Sequence, residues 1–325
     1  MKYYLLVNEG LEQTAQQEIK ELFNVNSIVY KNVIEFEADF KADFKDNSPK
    51  FQSARRLLAA VGRYGSEKIN LPYDFPWADH FFSGKKFRIE VENLSGQENR
   101  LALSKKLGGQ IFSILDEKKI ISQLELKKPE LLVVVYFNGE EYFVGTDENL
   151  EELNARKYRV FPHQASFKGD LGYFFVRKSM FVKGNKLLVG FCKDGTMAIE
   201  AALYSKDKIY AFDESSQNII AARKNSQLAG VKDLMQINKI SLDELDVKFS
   251  EKEFDNIIFQ ITNKDESKLN EIYYQTKYIL KSGGALFLIG RETWKPSISD
   301  AFNLVSEQEI KRGGSVYKTW LLKKK

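Results

Sequence analysis

The chain has 325 residues, 43% hydrophobic and 29% charged, which excludes a disordered or collagen-like polymer and supplies apolar mass for two or three cores. Its 49 basic and 45 acidic side chains leave a net charge of +4, which permits a polyanionic partner without demanding one. One cysteine, Cys192, and two histidines, His80 and His163, exclude an intramolecular disulfide and any zinc centre built from several thiolates or imidazoles. Tyr3 to Val7 reads as a strand, Gly10-Leu11 as a turn into a helix, and Ile28 to Phe36 as a hairpin around Lys31-Asn32. Leu11, Ala15, Ile19 and Leu22 recur at helical spacing and are expected to face this small sheet. Residues Ser53 to about Tyr64 are expected to form a second helix, with Arg55, Arg56 and Arg63 beside Leu57, Leu58 and Val61. Pro72 and Pro76 lie in an aromatic-rich stretch from Ser66 to Phe82, and a first boundary is placed there.

The pattern then restarts. Phe87 to Val91 alternates as a strand, Ser104 to Leu115 suits a helix carrying Lys105 and Lys106, and Leu131 to Phe137 is a run suited to a buried strand. That run is the longest apolar stretch of the chain and falls far below the roughly 20 residues of a membrane span. With no signal-peptide pattern at the start, a cytoplasmic protein without a membrane partner is expected. Tyr142 to Gly145 pairs with the run across Asn138-Gly139, a strong hairpin signal. Glu148 to Asp170 has the polar composition of a connector. Beyond Phe174, short apolar runs at Leu187–Val189, Lys208–Phe212, Phe254–Ile261 and Ala285–Ile289 alternate with helical stretches, the mark of a parallel doubly wound α/β sheet. Ser215 is expected to cap a helix ending at Gly230, and Phe302–Val305 with Val316–Leu322 to form an antiparallel edge.

In such sheets a ligand lies beyond the carboxyl ends of the strands. Here the first strand ends in Val189-Gly190-Phe191-Cys192-Lys193-Asp194-Gly195-Thr196, followed by Glu200-Ala201-Ala202, and the second ends in Phe212-Asp213. An acidic residue at that second strand end can hold both hydroxyls of a ribose, and it can equally serve as a helix cap.

Leu188 to Ala202 resembles the first motif of class I S-adenosylmethionine (SAM)-dependent methyltransferases, in the Asp-Pro-Phe-Cys-Gly-Ser-Gly-Thr version of RNA guanine methyltransferases that carry a THUMP domain. Lys127-Lys128-Pro129-Glu130 with Tyr142 to Asp147 is similar to the THUMP pattern. Leu153-Asn154-Ala155-Arg156-Lys157-Tyr158-Arg159 resembles the segment that joins THUMP to the methyltransferase. Ile209 to Asp213 and Ala221 to Gly230 match the second motif and its helix. The resemblance implies a ferredoxin-like domain over residues 1–70, a THUMP domain over 71–150, a connector over 151–172 and a Rossmann-like class I methyltransferase domain over 173–325. It further implies SAM as cofactor, held by Gly195, Thr196, Glu200, Asp213 and Ser241, and tRNA or another structured RNA as partner. Arg156, Lys157, Tyr158, Arg159, Arg55, Arg56, Lys105 and Lys106 would contact that RNA through phosphates and stacking.

The chain departs from these motifs at defined positions. Val189, Gly190 and Lys193 stand where the family has Asp, Pro and the first Gly. The fourth motif, Asn/Asp-Pro-Pro-Tyr, orients an exocyclic amine for methyl transfer; Gln260-Ile261-Thr262-Asn263 stands there, and only Gln260 offers an amine acceptor. Three readings therefore stay open. The chain is a tRNA guanine-amine methyltransferase, or a catalytically inactive pseudo-methyltransferase that holds tRNA or supports a partner modifying subunit. In the third, the domain has changed ligand and uses Lys193 for an anion at a helix N-terminus.

Overall fold

The computed structural model describes residues 1–39, 51–65, 68–261, 266–312 and 315–325. The chain divides into two units, Met1–Leu153 and Asn154–Lys325. In the first, β1 (Lys2–Val7), α1 (Glu12–Phe23), β2 (Ser27–Tyr30), β3 (Val33–Glu37) and β4 (Ala54–Tyr64) are followed by a short α2 (Trp77–His80). Then come β5 (Lys86–Glu92), α3 (Gln97–Glu117), β6 (Gln123–Leu124), β7 (Leu131–Phe137) and β8 (Tyr142–Asp147). All eight strands join one sheet in the order β2-β3-β1-β4-β8-β7-β5-β6. Strand alternation divides β1 between two cores: Tyr3, Leu5 and Val7 pack with Ala15 and Ile19 of α1, whereas Tyr4 and Leu6 pack with Leu132, Val134 and Phe143. Leu22, expected to face the sheet, is instead exposed at the end of α1.

The expected helix over 53–64 is the strand β4. It lies between β1 and β8, so most of its residues are covered on both faces and the binary pattern that separates strand from helix is erased. Tertiary pairing overrides the helix propensity of its Ala, Leu and Arg residues. Because β4 pairs with strands on either side of residue 70, hydrogen bonding is continuous through the sheet across the expected boundary. The two hairpins follow the sequence, with Asn32 and Gly139 in the left-handed region their turns require.

The second unit contains α4 (Gly169–Lys178), β9 (Leu187–Gly190), α5 (Thr196–Ser205), β10 (Ile209–Asp213), α6 (Ser216–Leu228) and β11 (Met235–Lys239). It continues with α7 (Leu245–Lys248), β12 (Phe254–Gln260), α8 (Glu266–Ile279), β13 (Leu280–Arg291), β14 (Phe302–Arg312) and β15 (Ser315–Lys324). The sheet order is β11-β10-β9-β12-β13-β15-β14, parallel except for β15, which runs antiparallel to both β13 and β14. This is the expected doubly wound, Rossmann-like sheet with its antiparallel edge. The edge strand β11 had no apolar run to announce it, since only Ile237 of its residues is buried. Ser215 caps α6 by accepting from Asn218 N, and Gly230 follows its end at φ +70°. Strand order reverses between β9 and β12, so a crevice opens beyond their carboxyl ends. Among the described residues no helix is long and apolar enough to cross a membrane.

Candidate functional site

A cavity of about 290 Å³ lies at that reversal, lined by side chains that follow β9, β10 and β12. Phe191 and Lys193 come from the loop after β9, Asp213 from the end of β10, Asn218 from α6, Gln260 and Ile261 from the end of β12, and Lys268 from α8; His163 and Ala165 complete it. Gly190 lets this loop leave the sheet, since a Cβ there would lie 2.3 Å from the Phe259 ring. The Phe191 ring packs on Phe212 and Phe259, and the Lys268 ammonium sits 4.2 Å from the centre of the Phe191 ring.

Asp213 is turned inward. Its Oδ2 accepts from Lys193 N at 2.9 Å, and its Oδ1 accepts from Ser215 N and Asn218 Nδ2, both at 2.9 Å. Three of about four acceptor positions of the carboxylate are thus used within the protein. Lys193 is 6% exposed, stands at φ +54°, and its Nζ has no hydrogen-bond partner among the described residues. Burial lowers its pKa to about 8, against the upward pull of Asp213 and Asp194. Cys192 beside it is buried, and burial pushes its thiol well up, so it offers no thiolate at neutral pH. Gln260 donates from Nε2 to Ala165 O at 2.6 Å, which leaves its carbonyl oxygen as the acceptor; Thr262 and Asn263 lie outside the described residues.

The other expected cofactor residues perform different tasks. Gly195 turns the loop at φ +81° and approaches Ala222 so closely that a Cβ would fall 2.9 Å from that residue's Cβ. Thr196 donates through both its N and its Oγ1 to Asp194 Oδ1, so the N-terminus of α5 is already capped by a carboxylate. Glu200 is absent from the cavity lining and fully buried: it receives Nε and Nη2 of Arg156 at 2.7 and 3.1 Å and the Tyr158 hydroxyl at 2.6 Å. Ser241 is exposed and closes a capping box with Glu244, again away from the cavity lining.

Several expected RNA contacts are corrected by burial. Although burial opposes its charge, Glu200 more than offsets the effect and holds the Arg156 guanidinium above its usual pKa; Tyr158 is pushed well up by burial and by Glu200. Arg159 donates to Asp194 Oδ2 at 3.0 Å, and the same oxygen accepts from His163 N. These groups fasten residues 156–163 to the sheet and leave Lys157 as the exposed cation of the segment. On β4, Arg56 is buried between Glu90, Glu92 and Asp147, and Arg55 pairs with Glu92 and Glu152. Arg63 is partly exposed, over the Tyr30 ring and 3.5 Å from Glu141. Lys105 and Lys106 are exposed on α3. Two organising residues carried no sequence signal of their own: Asp194, and the fully buried Asn225, which bonds to Phe161 N, Phe161 O and Asp194 O.

A SAM molecule would bring a positive sulfonium towards a buried ammonium and would ask Asp213 for two acceptor positions where about one remains. The fold is consistent with the cofactor, but the side chains now at the strand ends do not fit it in the expected manner.

Comparison with known proteins agrees with the fold. Residues 156–282 match the family described as "UPF0020: RMKL-like, methyltransferase domain". A tRNA (guanine(6)-N2)-methyltransferase of Methanocaldococcus jannaschii is 26% identical over 219 residues, covering 64% of this chain and 57% of that protein. The chain thus spans little more than half the length of that relative. TrmN from Thermus thermophilus has the same fold, with a TM-score of 0.76 at 18% identity over 100% of this chain and 99% of its own. SMU.472, crystallised with SAH, gives a TM-score of 0.73 at 14% identity over 98% and 97% of the two chains. The chain accordingly resembles the SAM-dependent methyltransferases of the TrmN and UPF0020 group, related to tRNA guanine-N2 methyltransferases, and shares their α/β fold.

Proposed function

We propose that this chain is a tRNA-binding protein built on the methyltransferase fold, whose C-terminal domain no longer holds SAM and a base amine in the family's catalytic arrangement. In this reading residues 1–70 are a ferredoxin-like domain and 71–150 a THUMP domain, and together they grip the RNA. Residues 173–325 are retained for their shape and pocket, in a protein that acts alone or beside a partner modifying subunit. The observation that carries the reading is Lys193: a buried ammonium, unpartnered among the described residues, where the methionine end of SAM would approach the backbone. Gln260 keeps its carbonyl oxygen as an acceptor but stands without the prolines and the aromatic ring of the fourth motif. The name of the archaeal relative supports tRNA as the RNA class. The exposed cations Lys105, Lys106 and Lys157 are the phosphate contacts this reading retains.

Replacing both Lys105 and Lys106 with Ala is expected to weaken tRNA affinity and to reduce the slope of log K against log salt by about 2, one per lost phosphate contact. Filter binding across a salt series measures both. An unchanged slope in the folded double variant removes α3 from the interface, and failure of the wild-type chain to bind tRNA rejects the reading. A second reading, retained methylation of a guanine amine, draws on Gln260 and Asp213 lining one cavity. Mass spectrometry of tRNA nucleosides incubated with the pure protein and SAM distinguishes the two: an added methylguanosine supports the second.

A further inference from the structure

The cavity at the ends of β9, β10 and β12 contains a charge pattern that neither methyl transfer nor RNA gripping uses. Lys193 lines it and is buried, with its Nζ unpartnered among the described residues. A desolvated ammonium is costly unless an anion or several acceptors meet it. Among the described residues the one carboxylate on the wall is Asp213, which directs its oxygens to Lys193 N, Ser215 N and Asn218 Nδ2, and no hydrogen bond joins it to the Lys193 ammonium. Asp194, which also faces the loop, is held by Thr196, Arg159 and His163 N. Lys268 adds a second ammonium to the wall; it is shared between Glu214 and the Phe191 ring and remains partly exposed. His163 accepts from Ala165 N at its Nδ1, which leaves Nε2 to carry the ring proton as a donor. Among the described residues the wall thus presents the Lys193 and Lys268 ammonium groups and the His163 Nε2 donor, with the neutral acceptors Gln260 Oε1 and Asn218 Oδ1, around a cavity of about 290 Å³, a size suited to a phosphate group with a small organic remainder.

We propose that this cavity is a phosphate-binding site, in which the Lys193 ammonium takes the phosphate oxygens with Lys268 at the mouth. The ligand is either a free nucleoside monophosphate or a phosphate of bound RNA, since both present the same group. The site stands on the loss of the SAM arrangement but does not need the chain to bind tRNA. Its failure and that of the RNA reading are therefore separately visible.

The test is the thermal stability of the whole chain at constant ionic strength, with inorganic phosphate, AMP, SAM or tRNA added in turn. Phosphate and AMP are expected to raise the melting temperature saturably near neutral pH, and SAM to leave it unchanged. In Lys193→Met, which keeps the apolar stem, apparent phosphate affinity should fall about ten- to hundred-fold, the value of one charge-assisted bond. Lys193→Gly provides the same comparison should the Met variant fold poorly. Since Lys193 loses its proton at about pH 8, the stabilisation should fade as pH rises through that value while that of a site built on Lys268 alone would persist. A shift with AMP but not tRNA identifies the free nucleotide as the source, and a shift with tRNA lost in Lys193→Met identifies RNA. Equal phosphate stabilisation in wild type and both variants, or no shift with any phosphate ligand, overturns the site.

Discussion

A lysine at φ +54° whose ammonium is buried carries two separate costs. The left-handed backbone costs roughly 1–2 kcal/mol in a residue with a Cβ, and removing the charge from water adds to it. The second cost depends on pH. Burial places the folded-state pKa at about 8, below the ordinary value of 10.5, so between these values the unfolded chain binds more protons than the folded one. Stability from this group therefore rises with pH across that window, and the penalty is largest below pH 8. The penalty is on the order of 3 kcal/mol at neutral pH. Lys193→Met is thus expected to stabilise the protein in phosphate-free buffer near pH 7, and the gain should shrink at about pH 9.5. Urea unfolding at the two pH values measures it; a gain that does not change with pH would show that the ammonium is not desolvated. Lys193 was legible in the sequence because it breaks a glycine-rich motif. The inward turn of Asp213 was not, because strand-end position does not reveal which donors a carboxylate will meet.

At the scale of elements, the segment before α4 looks like a solvated linker by composition, yet Arg156, Tyr158 and Arg159 are fastened to α5 and the turn before it. Arg156 and Tyr158 converge on Glu200, and Arg159 on Asp194. Gly169 makes room for this, since a Cβ there would fall 2.3 Å from Arg156 Nε. Glu200→Ala removes the carboxylate that takes two hydrogen bonds from the buried Arg156 guanidinium and is expected to destabilise the chain by about 3–5 kcal/mol. Limited proteolysis should then cut within residues 156–168; an unchanged urea midpoint would show that the pair is not what holds the segment. The sequence could not distinguish this role from RNA contact, because Arg and Tyr serve both and only burial separates them. β4 was misread for a related reason: a strand covered on both faces has no alternation, and its Ala, Leu and Arg residues favour a helix in isolation. Elements with one wet face, such as α1, and those with strong turn or cap signals, such as the β7–β8 hairpin and α6, were legible.

At the scale of the whole molecule, a net charge of +4 acts through placement. Much of the arginine content is committed to internal ion pairs at Glu90, Glu92, Asp147, Asp194 and Glu200, while exposed lysines remain for a polyanion. The salt dependence of tRNA binding should therefore reflect lysines, and replacing Arg156 should change stability more than the salt slope. The domain has the doubly wound sheet of the methyltransferase fold, and Lys193, Ile261 and Thr262 stand where the motifs it resembles carry a glycine and two prolines. Calorimetric titration of the intact chain with SAM, beside Lys193→Gly, reads out whether the buried ammonium keeps SAM from this cavity. No saturable binding at micromolar SAM is expected of the wild-type chain, whereas micromolar binding that Asp213→Ala weakens would show that the cavity still holds the cofactor.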